Sequence, residues 1–299
     1  MLAITLSKKQ KSTIEAIFWD WISSSRRLKN IQEYMSRESF FYTRCNIKPD
    51  DMSTIKCFLL SDPCKLQNYL FDPQLQDKTK DYIYARYKDF RENTAANIVK
   101  ALSIGSCPYC NQNSIPVIED MCKSKFLGDF DHFYNKNNYP HLALCLYNLI
   151  PCCKVCNHEK LDRHNSYINN PYQKNFPETS ILFRTDFDGD IAYLDGSSDK
   201  FIITIDKKRL DSSGKAENDM FKIELRYSKL KENAKDVIFK ARAYERWYRE
   251  KLAEDFSIFS PEEIKQHIFG YRDDHIKLPL SKFNYDIMNE FLSFSEHQK

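Results

Sequence analysis

The stretch GDFDHFYNKNNYPHLALCLYNLIPCCKVCNHEK, residues 128–160, decides how this 299-residue chain folds and what chemistry it can carry. It gathers residue types that bind metals or move protons in proteins, namely Asp131, His132, Asn148, Cys153, Cys156 and Asn157. Thiolates prefer soft ions such as zinc, carboxylate and amide oxygens prefer hard ions such as magnesium, and a neutral imidazole can accept a proton. The stretch therefore predicts metal chemistry.

The composition is that of a folded chain without a strong charge. With 42% hydrophobic and 14% aromatic residues, the chain can bury a substantial core, in one large domain or in several small ones. Its formal net charge of +3 is too small to indicate a nucleic-acid partner by itself. Any basic surface must therefore come from local segregation of charge.

The sequence contains no recognisable signal peptide or membrane span, and this decides the expected cellular location of the protein. The first residues, MLAITLSKKQK, form too short an apolar run for a signal peptide, and no stretch approaches the roughly 18 apolar residues that a membrane span needs. We therefore expect a soluble, cytoplasmic protein with reduced thiols and no membrane contact. Paired cysteines in that compartment bind metal more often than each other.

Apolar periodicity predicts an α+β fold with three regions. They are a helical N-terminal region, residues 1–104, a core with cysteine, asparagine and histidine motifs, residues 105–170, and a strand-then-helix region, residues 171–299. Ser12 or Thr13 is predicted to cap the first helix, and the aromatic residues of the N-terminal helices are predicted to pack in the core.

In the C-terminal region, alternation of apolar and polar residues predicts strands, and a helical period predicts helices. The predicted strands cover residues 180–187, 190–196, 200–206 and 220–227. The predicted helices cover residues 228–253, 261–269 and 281–293.

The longest of these helices carries five basic residues on one side, away from its apolar stripe: Lys231, Lys235, Arg242, Arg246 and Arg249. This basic ridge suits a phosphate backbone, so nucleic-acid binding is predicted there. A solvated helix face, or a surface for an acidic partner protein, is the alternative explanation.

Two CxxC pairs, Cys107–Cys110 and Cys153–Cys156, each offer two thiolates from a tight turn. Together they provide the four soft ligands of a closed, structural zinc site. Buried free cysteines or a redox pair would explain one pair but not both. Cys152 could replace Cys153, but only Cys153 keeps the two-residue gap to Cys156. The sequence predicts one Zn²⁺ that holds the ends of the intervening segment together.

The remaining cysteines have no partner at metal-ligand spacing. They are Cys45, Cys57, Cys64, Cys122 and Cys145. We predict that they are small hydrophobic residues of the core.

The order of the motifs resembles a known family. Asp131–His132, then Asn148 before Leu-Ile-Pro, then a CxxC followed by Asn157 and Lys160, is similar to the motif of HNH, or ββα-metal, nucleases, here with asparagine at the third position. With Asn-Pro-Tyr at 170–172 and IFGYRDDHIKLPLSKFNYDI at 268–287, the chain from about residue 105 onward resembles the HNH subunits of Septu-type anti-phage systems, including those attached to retrons.

The resemblance implies a zinc-pinned ββα-metal nuclease core and a role in bacterial anti-phage defence. It also implies an ATPase subunit of the same system as partner. No GxxxxGK[ST] loop occurs in the sequence, so ATP would have to be bound by that other chain.

Hydrolysis of a phosphodiester needs an activated water and a cation against the charge that grows on the phosphate. His132, as a neutral imidazole, is the predicted base. Asp131 and the amide oxygen of Asn157 are the predicted ligands of a catalytic Mg²⁺ or Mn²⁺. By resemblance, Asn148 is expected to hold His132 and its loop in register. Lys160 lies one turn after Asn157, and we expect it to contact phosphate.

Each of these residues alone has a plain structural explanation, since Asp–His pairs are common on surfaces and a loop asparagine is usually a turn residue. Their occurrence together between two CxxC pairs favours catalysis. His164, seven residues after Asn157, is the reserve metal ligand.

The sequence therefore predicts a metal-dependent HNH endonuclease that hydrolyses nucleic acid, with DNA as the expected substrate. Two alternatives stay open. One is an effector that cleaves RNA, for instance tRNA, and the other is a non-catalytic zinc module that binds nucleic acid or a protein.

Overall fold

Helices and small antiparallel sheets build this protein, so the predicted α+β class is confirmed. The computed structural model describes residues 1–120, 123–163, 166–187, 194, 197–198, 200–256 and 258–296. Within these ranges no helix is both long and apolar enough to cross a membrane.

The chain is divided into two compact units. The first unit comprises Ala3–Pro108 and Ile115–Pro177, and the second comprises Met1–Leu2, Tyr109–Ser114 and Glu178–Lys299. The first unit thus contains both the helices expected in residues 1–104 and most of the core expected in residues 105–170.

The first unit begins with helices. They are α1 Lys8–Ser23, α2 Ser25–Arg37, α3 Ser39–Thr43, α4 Met52–Leu59, α5 Pro63–Leu66, α6 Asp77–Asn93 and α7 Ala95–Leu102. Helix α1 starts with a capping box. The Ser7 hydroxyl accepts a hydrogen bond from the backbone N–H of Gln10, and the side-chain oxygen of Gln10 accepts one from the backbone N–H of Ser7. The prediction that Ser12 or Thr13 caps α1 is therefore wrong. Both lie inside the helix, where their hydroxyls donate to the carbonyl of Lys9.

Two short sheets and one α-helix follow α7 in the first unit. The first sheet pairs β1 Val117–Asp120 antiparallel with β2 Lys123–Phe126. The second sheet pairs β3 Asp129–His132 antiparallel with β4 Leu149–Cys152, and helix α8, Lys154–Lys160, follows β4. In the second sheet His132 lies opposite Leu149 and Asp129 lies opposite Cys152. Gly128 precedes β3 where a Cβ atom would come 2.7 Å from the carbonyl oxygen of Cys152, so only glycine allows this close approach.

An aromatic cluster joins α1 and α6 to β3. Ring centroids of Phe18 and Trp21 lie 5.9 and 5.5 Å from that of Phe90, which lies 5.3 Å from the ring of Phe130. All of these side chains are buried, and burying one such side chain stabilises a fold by about 1.5–3 kcal/mol. The predicted core role of the aromatic residues Phe18 and Trp21 is confirmed, and the cluster fixes α6 beside β3.

The second unit contains one sheet and six α-helices among its described residues. They are β5 Phe183–Phe187, β6 Phe201–Ile205, α9 Ser212–Phe221, α10 Ile223–Tyr227, α11 Lys231–Ala243, α12 Arg246–Asp255, α13 Pro261–Phe269 and α14 Ser281–Glu296. The strands predicted at 180–187 and 200–206 and the helices predicted at 261–269 and 281–293 are confirmed. The strand predicted at 190–196 lies outside the described residues, apart from Leu194.

The strand predicted at residues 220–227 is wrong, because this stretch ends α9 and forms α10. Its alternation would bury Leu225, which is 63% exposed. Ile223 and Tyr227 are buried instead, one helical turn apart, and Lys222 between the two helices has a left-handed φ of 54°. The backbone N–H of Glu224 donates to the Asn218 side chain, which starts the new helix.

The single helix predicted at 228–253 is also wrong, because α11 ends before Tyr244 and α12 begins after Glu245. Glu245 has extended backbone angles, φ −57° and ψ 163°, and the Arg249 guanidinium donates to the carbonyl of Tyr244, which the break leaves without a helical partner. The five residues of the basic ridge are therefore divided between two helices.

Candidate metal centre and candidate active site

The four cysteines of the two CxxC pairs come together. The Sγ atoms of Cys107, Cys110, Cys153 and Cys156 all lie within 4.8 Å of one another, and all four residues are buried. Cys153 is the residue before α8, and its Sγ accepts from the backbone N–H of Cys156 at 3.4 Å. Four thiol groups at this separation suit tetrahedral Zn²⁺, because thiolates are its preferred ligands in closed structural sites. The cluster can therefore hold a metal ion such as zinc.

Cys152, the alternative ligand, does not belong to this cluster. It ends β4, where it pairs with Asp129, and burial raises the pKa of its thiol well above the usual value. Because side chains alternate along a strand and the chain turns into α8 at the next residue, only Cys153 turns toward Cys156.

The other cysteines divide into two groups. Cys45 and Cys145 are buried, as predicted, and burial raises the pKa of Cys45 to about 12, so its thiol is not reactive at neutral pH. Cys57 and Cys64 are exposed, so their predicted core position is wrong. In α4 the core-facing positions are taken by Ile55, Phe58 and Leu59, which leaves residue 57 on the outer face. Cys122 lies outside the described residues.

A cavity of about 540 Å³ opens beside β3 and α8. Among its lining residues are three of the predicted catalytic residues, Asp131, His132 and Asn157. They come together because β3 carries the first two and α8, which packs on β3, carries the third. The cavity lies entirely within the first unit.

His132 is held so that one ring nitrogen accepts a proton. Its Nε2 lies 3.1 Å from the carbonyl oxygen of Ala143, and a carbonyl can only accept, so Nε2 carries the proton and Nδ1 keeps its lone pair. No described residue forms a hydrogen bond with Nδ1. The ring of Tyr87 packs against the imidazole with a centroid distance of 4.5 Å.

The imidazole of His132 is neutral at physiological pH. Burial, followed by the positive charges of Lys136, Lys160 and Arg91, lowers its pKa from the usual range to about 3, against the bond to Ala143, which raises it. His132 can therefore act as a proton acceptor without first losing a proton to solvent.

Asn148 connects the two segments that flank His132. Its Oδ1 accepts from the backbone N–H of Tyr134 at 2.7 Å, and its Nδ2 donates to the carbonyls of Tyr134 and Leu142, each at 3.0 Å. Tyr134 follows His132 closely in the chain, and Leu142 precedes Ala143, the hydrogen-bond partner of His132. The fully buried amide thus fixes both the backbone of His132 and its ring partner.

Asp131 and Lys160 form a buried ion pair. Lys160 Nζ lies 3.1 Å from each carboxylate oxygen of Asp131 and 2.9 Å from the carbonyl oxygen of His132. The side chain of Lys160 is 3% exposed and faces Asp131 rather than solvent, so a phosphate contact of Lys160 stays a prediction that this arrangement does not support. The reason is geometric, since Lys160 and Asn157 are one turn apart on α8 and both face β3.

Breaking this pair should destabilise the fold. Asp131→Ala leaves the Lys160 ammonium buried without its counter-ion, which costs about 3–5 kcal/mol of unfolding free energy. The double variant Asp131→Leu with Lys160→Met removes both charges and should recover most of that loss. Denaturant unfolding of both proteins measures the difference, with Glu250→Ala, which breaks an exposed pair with Arg246, as the control that should change little. Equal stability of Asp131→Ala and the wild type would contradict the buried pair.

The sequence did not identify Asp129 as a site residue, yet it connects both sides of the cavity. Its Oδ1 accepts from the Arg91 guanidinium at 2.9 Å, and its Oδ2 accepts from Asn157 Nδ2 at 3.2 Å. Asp129 and Asp131 lie two residues apart on β3 and share one face of the strand. The oxygen atoms of Asp129, Asp131 and Asn157 are hard donors, so their chemistry fits Mg²⁺ or Mn²⁺.

The basic residues expected to bind nucleic acid have neighbours of their own. Lys235 pairs with Glu232 at 3.6 Å, and Arg246 pairs with Glu250 at 2.8 Å. Arg242 Nε donates to the carbonyl of Leu194 at 2.9 Å, and the ammonium of Lys231 lies over the Phe201 ring. The prediction of one continuous ridge is wrong, because the break between α11 and α12 separates its halves; nucleic-acid contact by individual residues, Arg249 included, stays a prediction. His164 lies outside the described residues.

Comparisons of the chain with protein-family models, with curated proteins and with solved structures give no match.

Proposed function

We propose that this chain is a metal-dependent endonuclease of the HNH type, which hydrolyses phosphodiester bonds in nucleic acid, foremost DNA. The observation that carries the proposal is the arrangement in the first-unit cavity. There, a neutral imidazole with a lone pair on Nδ1 shares the cavity with the oxygen donors Asp131 and Asn157. The order of strand β3, strand β4 and helix α8 supports the proposal, because it is the order that a ββα-metal core requires.

In this proposal each residue has one task. His132 Nδ1 takes a proton from the attacking water, and the bond from Nε2 to Ala143 keeps the ring in the orientation and tautomer that this requires. Asn148 keeps both partners of that bond in place. Asp131 and Asn157 would hold Mg²⁺ or Mn²⁺, which supplies positive charge against the developing charge on the phosphate.

The low basicity of His132 in the free protein changes when substrate is present. A phosphate group that enters the cavity brings negative charge next to the ring and stabilises the imidazolium, so the pKa of His132 rises from about 3. In the free protein the imidazole is already unprotonated at acidic pH. We therefore expect the kcat/KM profile to show no loss near pH 6.5 that depends on His132.

The cysteine cluster would stabilise the site rather than take part in the reaction. Cys153 and Cys156 lie at the start of α8, directly before Asn157. Zn²⁺ bound there would fix the position of α8 relative to β3, and hence the distance between Asn157 and Asp131.

The biological part of the proposal rests on the resemblance of residues 105–299 to the HNH subunits of Septu-type systems. It assigns the chain to bacterial anti-phage defence in the cytoplasm, together with an ATPase subunit. The nucleic acid and that subunit would be its partners.

One observation favours a second candidate function, a non-catalytic zinc module. The carboxylate of Asp131 already has a buried counter-ion in Lys160, so a divalent ion at Asp131 would have to displace or rearrange that pair. A protein that retained the motif only as a scaffold would need no such rearrangement.

Cleavage assays separate the candidates. The chain is incubated with supercoiled plasmid and with total tRNA, with Mg²⁺, with Mn²⁺ and with both removed, alone and together with its genomic neighbour. We expect plasmid cleavage that depends on the divalent ion. Cleavage of tRNA alone would indicate the RNA-directed alternative, and binding of either polymer without cleavage under any condition would favour the non-catalytic module.

A further inference from the structure

Helix α6, which lies outside the predicted motif, forms one wall of the cavity. The hydroxyl of Tyr87 donates to the carbonyl of Phe130 at 2.7 Å, and one turn later the Arg91 guanidinium donates to the carbonyl of Gly128 at 3.3 Å. Phe90 packs on Phe130 between these two contacts. The helix is therefore fixed along β3 at the level of the site residues.

Arg91 lies between Tyr87, which contacts His132, and Asp129, which is bonded to Asn157. Its guanidinium interacts with Tyr87 on one side and pairs with Asp129 on the other. A guanidinium has five N–H donors, and these contacts do not use all of them. Its side chain is 28% exposed and lines the cavity, so an entering anion can reach it.

Lys136 and Lys154 also line the cavity, and Lys160 lies next to it on α8. Lys160 is buried against Asp131 and the carbonyl of His132. The ammonium of Lys136 lies over the rings of Tyr84 and Tyr87, at 4.9 and 5.5 Å from their centroids. Lys154 at the start of α8 is exposed and also lines the cavity, but its ammonium is a point charge. Among the described lining residues, Arg91 is the one with a planar donor fork, and such a fork matches the two non-bridging oxygens of a phosphodiester.

We propose that Arg91 is a substrate-binding residue that donates to a phosphate of the nucleic acid next to His132, with Asp129 as its partner in the free protein. This inference rests on the proposed function and extends it, since it places a residue of the N-terminal helices in the substrate site. Arg91 would bind phosphate by paired hydrogen bonds and carries no information about base sequence.

The test measures binding rather than cleavage. In a His132→Ala background, which keeps the nucleic acid intact, the affinity for a short fluorescein-labelled DNA duplex is measured over a range of salt concentrations for Arg91→Ala, Arg91→Lys and Lys88→Ala. Lys88 is an exposed residue of the same helix outside the cavity, so its variant is the matched control for loss of one positive charge. Zinc content and thermal unfolding of each protein show whether it is folded.

We expect Arg91→Ala to weaken binding roughly tenfold or more, because a charge-assisted hydrogen bond is lost. It should also reduce the slope of log K against log salt by about one, the value for one phosphate contact. Arg91→Lys should keep the slope and lose only affinity, and Lys88→Ala should change neither. A purely structural role for Arg91 would lower the unfolding temperature without changing the slope.

Two results overturn the inference, and they are distinguishable. If the wild type cleaves nucleic acid while Arg91→Ala and Lys88→Ala have the same salt slope, Arg91 does not contact phosphate and the nuclease assignment stands. If the chain neither binds the duplex nor cleaves any nucleic acid, the proposed function and this inference both fail.

Discussion

Serine in place of Cys110 or Cys156 should prevent the chain from reaching its stable folded state. Binding of structural zinc contributes about 10–16 kcal/mol in small zinc domains, whereas a whole domain is stable by only about 5–15 kcal/mol. Since the four thiol groups converge from two separate CxxC pairs, loss of one of them would weaken zinc binding at the start of α8. We expect aggregation or a strongly lowered unfolding temperature, with cleavage lost as a consequence.

Elemental analysis of the purified wild type should find one zinc ion per chain, and a strong chelator should remove it only with unfolding. Cys57→Ser is the matched control, because Cys57 is an exposed cysteine outside the cluster. That variant should keep both zinc and stability. A folded wild-type protein without zinc or any other bound metal would contradict the assignment of the cluster.

The cysteine cluster was predictable because its signal is local. A CxxC turn presents two thiolates whatever surrounds it, so two such turns predict one site without knowledge of the fold. The gathering of Asp131, His132 and Asn157 was predictable for a similar reason, since all three belong to one strand–strand–helix segment.

Contacts that depend on packing between distant segments were not predictable. Nothing in the sequence around Tyr87 and Arg91 distinguishes them from other residues of an amphipathic helix, and their role appears only when α6 lies on β3. The burial of Lys160 belongs to the same class. A lysine after a metal motif suggests a phosphate contact, but whether it faces solvent or Asp131 depends on how α8 docks.

The errors in secondary structure have a different cause, because the patterns themselves were ambiguous. Residues 220–227 alternate like a strand, yet Ile223 and Tyr227 also have the spacing of one helical turn. The break at Tyr244 and Glu245 contains neither glycine nor proline, the usual signals for a helix end. Tertiary contacts decide both cases.

Loss of His132 should have the largest effect on activity. His132→Ala removes the proposed base but no cysteine of the cluster, so zinc content should persist while cleavage falls by roughly 10²-fold or more. His267→Ala, which changes an exposed histidine of α13, is the control and should cleave like the wild type. Asn148→Ala should have an intermediate effect on cleavage, because the imidazole remains but its loop and its partner Ala143 lose their common support.

The proposed metal ligands should behave differently from the proposed base. Asp131→Asn keeps the size of the side chain and a ligand oxygen but lowers its charge, and Asn157→Ala removes one oxygen donor, so both should raise the Mn²⁺ concentration needed for half-maximal cleavage. Extra metal should restore part of their activity. It should not restore His132→Ala, because the proton acceptor itself is missing.

The most direct test is therefore the rate of cleavage against Mn²⁺ concentration for the wild type and His132→Ala, measured on the same plasmid and with the partner subunit present if the wild type requires it. The account predicts that the wild type reaches a plateau at high Mn²⁺ and that His132→Ala remains roughly 10²-fold below it at every concentration. Equal rates for the two proteins would show that His132 is not the base and would contradict the proposed site.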